Sequence, residues 1–350
     1  MSVRRLTRDM ERGVVQARNS VSGLVFAVLA AFAFGIGGPF VRPLLDAGWS
    51  SSAAVLCRCA GTLLVLLVPA VLRLRGRWGV LRRNWRTLLA YGLFAVVATQ
   101  LLYYSAITRM PVGAALLIEY LAPVMLVGWT WVRTRRRPGG RVLAGSALAV
   151  TGLLLVVDLG GAGGVDPVGP ILALTAAVGV AIYYVINARL DPELHPFVLL
   201  AASMAVGCVV IVLLAVVGVA PLTVSFRDVV LAGDVVPWWL PAGIVVLVST
   251  SAAYLLGVAG GARLGSRVAS FVGLFEVLFA VLAAWALLGD LPAPIQLAGG
   301  VLILAGVVLV RLQRDGPDPG GPPAHVARRR ARPSLRRRAV EVPETSRMRP

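Results

Sequence analysis

Apolar runs of about 20 residues recur ten times between residues 21 and 312, separated by short segments rich in Gly, Pro and Arg. A helix needs about 20 residues to cross roughly 30 Å of hydrocarbon. A backbone in lipid must also satisfy every N–H and C=O internally. The runs at 21–41, 52–72, 87–107, 112–132, 141–158, 168–188, 197–219, 239–260, 267–288 and 293–312 therefore predict an all-α integral membrane protein with ten transmembrane helices. Composition agrees: 58% of the 350 residues are hydrophobic and only 14% charged, with a mean hydropathy of +0.84. A soluble domain of this size carries more charge on its surface. Ala31-Phe32-Ala33 resembles a signal-peptide cleavage site, but the apolar run continues past it, so 21–41 is read as the first spanning helix.

The stretch Arg109–Trp131 has an echo 154 residues later. Arg109 matches Arg263, Ala115 matches Ala269 and Trp131 matches Trp285. The register continues without a gap through Pro138 and Pro292, Gly145 and Gly299, and Gly152 and Gly306. Leu matching Leu means little in so apolar a chain, whereas Trp, Pro, Arg and Gly matching at one offset indicates an internal duplication. The division is a basic N-terminus at 1–20, a first five-helix repeat at 21–158, a second at 168–312 and an Arg/Pro-rich tail at 313–350, expected to be disordered. The glycine run at 160–164 marks the joint.

The formal net charge of +18 suggests nucleic acid, but the distribution argues otherwise. All 34 basic residues are Arg, and they lie in loops and tails. With the N-terminus in the cytoplasm, the inside segments hold 30 of them and the outside loops only Arg42, Arg109 and Arg227; Arg58 is left in a helix. This skew fits the positive-inside rule for ten spans with both termini cytoplasmic, in the cell (inner or plasma) membrane. The tail is read as a solvated extension, with anionic lipid heads as its alternative partner. Because five is odd, the second repeat must lie upside down relative to the first, giving two inverted five-helix repeats, an arrangement suited to alternating access.

Catalytic signatures are lacking. Cys57 and Cys59 flank Arg58 on one helix, where the two thiols cannot face one metal, and His195 and His325 lie in a loop and in the tail. The sequence contains no G-x-x-x-x-G-K-[ST] phosphate loop. No metal, cofactor or enzyme activity is expected.

Several local patterns resemble the EamA-like branch of the drug/metabolite transporter superfamily over about 20–312. They are the aromatic/Gly stretch Phe34–Phe40, Arg58 near the start of the second helix, Gly113–Val124 with Tyr120 and Ala122-Pro123, and Ser266–Asp290 with Glu276 and Trp285–Asp290. The sequence departs from the family at Val277, where a proline often follows the Glu, and at Asp290, where the family often has Glu. The missing proline implies a straighter ninth helix. The resemblance implies a secondary transporter, more often an exporter, of small metabolites such as amino acids or drugs.

Ionisable groups at mid-membrane are costly and mark function by default. Glu119 and Glu276 qualify, and they are not equivalent in the repeat, since Glu119 matches Gly273 and Glu276 matches Ala122. A carboxyl group removed from water can carry a proton, so either could couple transport to protons, or bind a substrate ammonium. Arg58 is read as reaching the membrane interface or pairing with a carboxylate. Gln100, Tyr103 and Tyr104 share a helix face with Thr99 nearby; Tyr183, Tyr184 and Asn187, and Ser249 and Tyr254 beside Thr250 and Ser251, form two more polar clusters. By the resemblance these helices converge on a wet cavity; the alternative is hydroxyls bonded back to their own helices. The glycines, including Gly257 and Gly260, are read as close-packing sites. The rival readings are a non-transporting membrane scaffold or sensor, and an integral membrane enzyme.

Overall fold

The computed structural model describes residues 21–135, 137–157, 166–191 and 193–313. The basic segment 1–20, the glycine joint at 160–164 and the stretch beyond 313 lie outside the described residues. Among the described residues nine helices are long and apolar enough to cross a membrane: α1 Val21–Asp46, α2 Ser51–Leu74, α3 Trp85–Ile107, α4 Val112–Thr134, α5 Gly140–Val157, α6 Val168–Asn187, α7 Pro196–Val216, α8 Trp239–Gly265 and, last in the chain, α10 Pro294–Leu312. Between α8 and α10 lies α9, Phe275–Leu288, apolar but only 14 residues long. A helical turn over 266–272 precedes it, set off from α8 by Gly265 at φ 77°. The expected straighter ninth helix is thus corrected: it is interrupted at Gly273 and Leu274, where the backbone keeps helical dihedrals but its bonds tighten, the Leu274 N–H reaching Phe271 and the Glu276 N–H reaching Gly273.

The duplication recurs in the backbone. Tyr91–Ala98 in α3 and Val245–Ala252 in α8 are π-helical, at the 154-residue offset. Left-handed caps end α4 at Arg135 and α9 at Gly289, again 154 apart. Both α4 and the ninth segment are interrupted, at Tyr120–Leu121 and Gly273–Leu274. Before α3 and α8 the offset is 145, from the N-cap Ser50 of α2 to the N-cap His195 of α7. The longer α7–α8 connection takes up the difference. It folds an antiparallel hairpin, β1 Val229–Leu231 with β2 Asp234–Val236, where sequence reading expected only a loop.

Close packing follows small residues, since lipid supplies no hydrophobic drive between helices and backbones must approach to gain contact. Added Cβ atoms at Gly152 of α5 and Gly299 of α10 would lie 2.8 Å from the Ile303 amide nitrogen and 2.9 Å from that of Val156. Gly145 faces Gly306 as Gly152 faces Gly299, so α5 and α10 cross antiparallel. The same reciprocity links Gly61 of α2 to Val246 of α8, and Gly92 of α3 to Val206 of α7. Gly260 meets Ala27 closely, whereas Gly257 is in ordinary contact with α1. Outward faces carry Leu64, Val209 and Val301; exposed Trp85 and Trp129 stand near one end of the bundle, and Trp239 and Trp285 near the other, as in an interfacial belt.

Two predictions follow from this packing. Gly152→Leu and Gly299→Leu should each overpack the α5–α10 crossing and destabilise by about 1–3 kcal/mol, read as a lower melting temperature by detergent size-exclusion, while Gly79→Leu, in open space, should change little. At α7 the His195 ring nitrogen Nδ1 accepts from the Phe197 N–H, 3.2 Å away, which requires an unprotonated Nδ1. Burial, then the charge of Arg73, lowers the His195 pKa. The unfolded chain therefore binds the extra proton first, and this cap should weaken as pH falls through the ordinary histidine range near about 6.5. Wild-type melting temperature should drop on that acidification, with a flatter profile in His195→Asn.

Candidate functional site: a central cavity

A cavity of about 320 Å³ lies between the two halves. The first half contributes Phe34 from α1, Arg58 from α2, Gln100, Tyr103 and Tyr104 from α3, and Glu119 and Tyr120 from α4. The second contributes Tyr183 and Tyr184 from α6, Ser249 and Tyr254 from α8, Gly273 and Glu276 at the ninth segment and Arg311 from α10. Six of the chain's seven tyrosines line it, and the seventh, Tyr91, packs edge-on against Tyr183 with ring centroids 5.5 Å apart. Tyrosine suits such a place: its ring packs against neighbours while its hydroxyl needs a partner.

The helix interruptions position the acids. Glu119 is the last residue of the first α4 segment, Val112–Glu119, and Glu276 lies in the first turn of α9. The Tyr120 hydroxyl, at the α4 interruption, lies 2.9 Å from Glu276 Oε2 and 2.9 Å from the Gly273 carbonyl oxygen. Arg58 donates to Gln100 Oε1 at 2.5 Å and to the Tyr104 hydroxyl at 3.2 Å.

Arg58 therefore neither reaches the interface nor, among the described residues, forms an ion pair within 4 Å. Its side chain turns inward because the cavity offers an amide and a phenol there. Nine of the other ten predicted site residues line the cavity. Asn187, at the end of α6, does not. The hydroxyls divide. Thr99, Thr250 and Ser251 each bond a carbonyl five residues back, Phe94, Val245 and Val246, all at 2.8 Å, within or at the end of the π-helical stretches. For these, the back-bonding alternative describes the structure, although Thr99 also borders the cavity. Sequence reasoning did not select Phe34, Tyr120 or Arg311 for the site. Tyr120 was legible as an aromatic one residue after Glu119, and Arg311 was counted only as a loop charge.

The two ends of the bundle differ. Tyr184 and Arg311 bring the cavity toward the end that carries the Arg-rich loops. There Arg83 donates to Asp191 at 2.6 Å and Glu193 at 2.6 Å, and the Asn84 amide, the Glu193 N–H and Arg83 hold the Asp191 carboxyl down at about 2. At the opposite end the α7–α8 connection clasps the first half: Trp49 Nε1 donates to the Ser225 carbonyl at 2.6 Å and Ser52 Oγ to that of Pro221. The Ala232 N–H reaches the Leu287 carbonyl of α9 at 2.8 Å, and Arg42 caps the end of α3 at Ile107. Asp290 sits beside Arg42 and Asp46, its carboxyl pushed up by burial, held back by Arg42 and raised again by Asp46.

A wet cavity should be reactive. In a variant lacking Cys57, Cys59 and Cys208, a cysteine at Ser249 or Gln100 should react with a hydrophilic maleimide at least about tenfold faster than one at lipid-facing Val301, because thiolate forms only where water reaches. Equal rates would mean that the cavity is dry.

No curated protein matches the chain. One solved structure, described only as the crystal structure of a protein, superposes with a TM-score of 0.55 at 17% identity, over 85% of this chain and 99% of the other. That likeness concerns the fold alone. The profile of the EamA-like transporter family matches residues 21–158 and again 167–312. With two matched repeats covering most of the chain, and a polar cavity between them, this protein belongs to the EamA-like transporter family, within the drug/metabolite transporters of the membrane.

Proposed function

We propose that the protein is a secondary active transporter that exports small polar or amphipathic solutes, amino acids or drugs among them, by alternating access between two inverted five-helix repeats. The observation that carries this reading is the meeting of Glu119 and Glu276, one from each repeat, in a single cavity. A scaffold has no need of two carboxylates at that depth, where each costs several kcal/mol unless it serves a pathway. The volume suits a small metabolite, and the tyrosine faces with paired acids and guanidinium groups suit a solute that is polar at one end and apolar at the other.

The reciprocal contacts support the inverted arrangement. Equivalent residues exchange places across the α5–α10 crossing and between α2–α8 and α3–α7, the signature of a pseudo-two-fold relation, and α5 and α10 run antiparallel there. In this reading the ninth segment, from 266 through α9, also spans and brings the count to ten. The arginine skew favours cytoplasmic Arg-rich loops and termini in the cell membrane. The cavity then reaches toward the cytoplasm while the hairpin clasp closes the far side, a state ready to load solute for export. Export itself rests on the family resemblance. Either glutamate can carry the coupling proton, since a carboxyl group binds and releases one.

Cells expressing the protein and loaded with labelled amino acids and related metabolites should release one solute faster than empty cells. Release should fall by about tenfold or more in Glu276→Gln or Glu119→Gln, equivalent to at least about 1.4 kcal/mol of lost coupling, and should be sensitive to a protonophore. Equal release from expressing and empty cells, with the protein verified in the membrane, would count against export of these solutes.

A further inference from the structure

The contacts around Tyr120 can be counted in protons. A phenol carries one O–H and can accept through its lone pairs. The Tyr120 oxygen nevertheless makes two close oxygen–oxygen contacts, to the Gly273 carbonyl and to Glu276 Oε2, both at 2.9 Å. A carbonyl oxygen and a carboxylate oxygen are acceptors only, so one phenolic proton leaves one contact as lone pair against lone pair. Two protons make both contacts hydrogen bonds. The second can come only from Glu276: its carboxyl O–H donates to the Tyr120 oxygen, and the Tyr120 O–H donates to the Gly273 carbonyl. No other donor is needed, and each oxygen is used once.

We infer that Tyr120 is the positioning residue that ties the two halves through protonated Glu276, so that loss of the Glu276 proton breaks one link of the chain and loosens α4 from the ninth segment. This rests on the reading of Glu276 as a proton carrier. Location gives the tie its consequence. Tyr120 occupies the interruption of α4, and Gly273 the interruption before α9, the two places where these backbones tighten from i→i−4 to i→i−3 bonds. The Gly273 carbonyl accepts instead from the Glu276 N–H at 3.1 Å, within a tight turn that leaves a lone pair for Tyr120. One side chain therefore joins both hinges and the acid. The other groups facing Glu276 are Glu119 on α4, Arg58 on α2, Tyr103 on α3, Tyr254 on α8, and Tyr184 and Arg311 at the far wall. Arg58, the cation acting on both acids, is already bonded to two neutral partners, so it does not neutralise Glu276 by direct contact.

The test is infrared difference spectroscopy of the full-length protein in lipid vesicles as a function of pH. The carboxylic C=O band of Glu276 is identified as the one lost in Glu276→Gln and retained in Glu119→Gln. The wild type should show that band at neutral pH. In Tyr120→Phe the protonated acid loses its acceptor, so the band should disappear at a pH about one unit lower, a tenfold weaker hold on the proton. If Tyr120 instead donates to an ionised Glu276, the same variant would keep the band to higher pH, which overturns the proposal. An unchanged titration would also overturn it, as would absence of the band from the wild type at neutral pH, an outcome that does not depend on the variant folding. Solute flux in the same vesicles is a separate readout: no flux in the wild type would sink the transport reading and leave the proton count standing.

Discussion

Hydrocarbon offers no partner to a polar group, and the rest of this structure answers to that constraint. Backbone bonds are kept inside helices, so the described chain is helical except at its ends and loops. Where the helical ladder tightens to i→i−3 bonds, at Tyr120–Leu121 and Gly273–Leu274, Tyr120 and Gly273 line the cavity. Where the turns widen to π-helix, Thr99, Thr250 and Ser251 supply hydroxyls to carbonyls five residues back. Irregular backbone, acids and arginine are thus gathered at one place, and the cavity is the consequence of keeping them out of lipid.

Holding ten apolar segments around such a cavity demands tight seams elsewhere. The glycine pairs of α5 and α10 provide one, with backbones so close that no side chain fits between them. They lie outside the cavity lining. The hairpin of the α7–α8 connection has no counterpart in the first half. The residues before it hold the first half, Ser225 and Pro221 accepting from Trp49 and Ser52, while its own turn reaches α9 from Ala232 to Leu287. A chain with otherwise matching halves thereby acquires two unlike ends.

Much of this was legible in the residues because the signals were compositional or periodic. Apolar length gave the spans, and the offset of 154 read from Trp131/Trp285 and Gly145/Gly299 reappears in the π-helical stretches and the left-handed caps. The cavity acids were visible because charge in an apolar run is rare. What stayed hidden depended on side-chain direction. Arg58 lies near a helix end, where sequence position cannot distinguish a side chain that reaches the headgroups from one that turns to Gln100. Asn187 belongs to a cavity-facing helix but lies at its end, outside the cavity lining. Tyr120 stood only in the family-like pattern of the fourth helix, since its partners, Gly273 and Glu276, lie more than 150 residues away. The ninth helix read as straighter because no proline marks a break, and Gly273 does not stand out among the 37 other glycines.

Alternating access between the two halves is the central claim, and distances across the two ends test it most directly. Spin labels on full-length protein in lipid would be placed in one pair across the Arg-rich ends of α4 and α8, and in another across the opposite ends of α3 and α9. Shifting the pH through the range in which transport switches on should shorten one distance as the other lengthens. Both distances fixed while solute crosses the membrane would contradict the account.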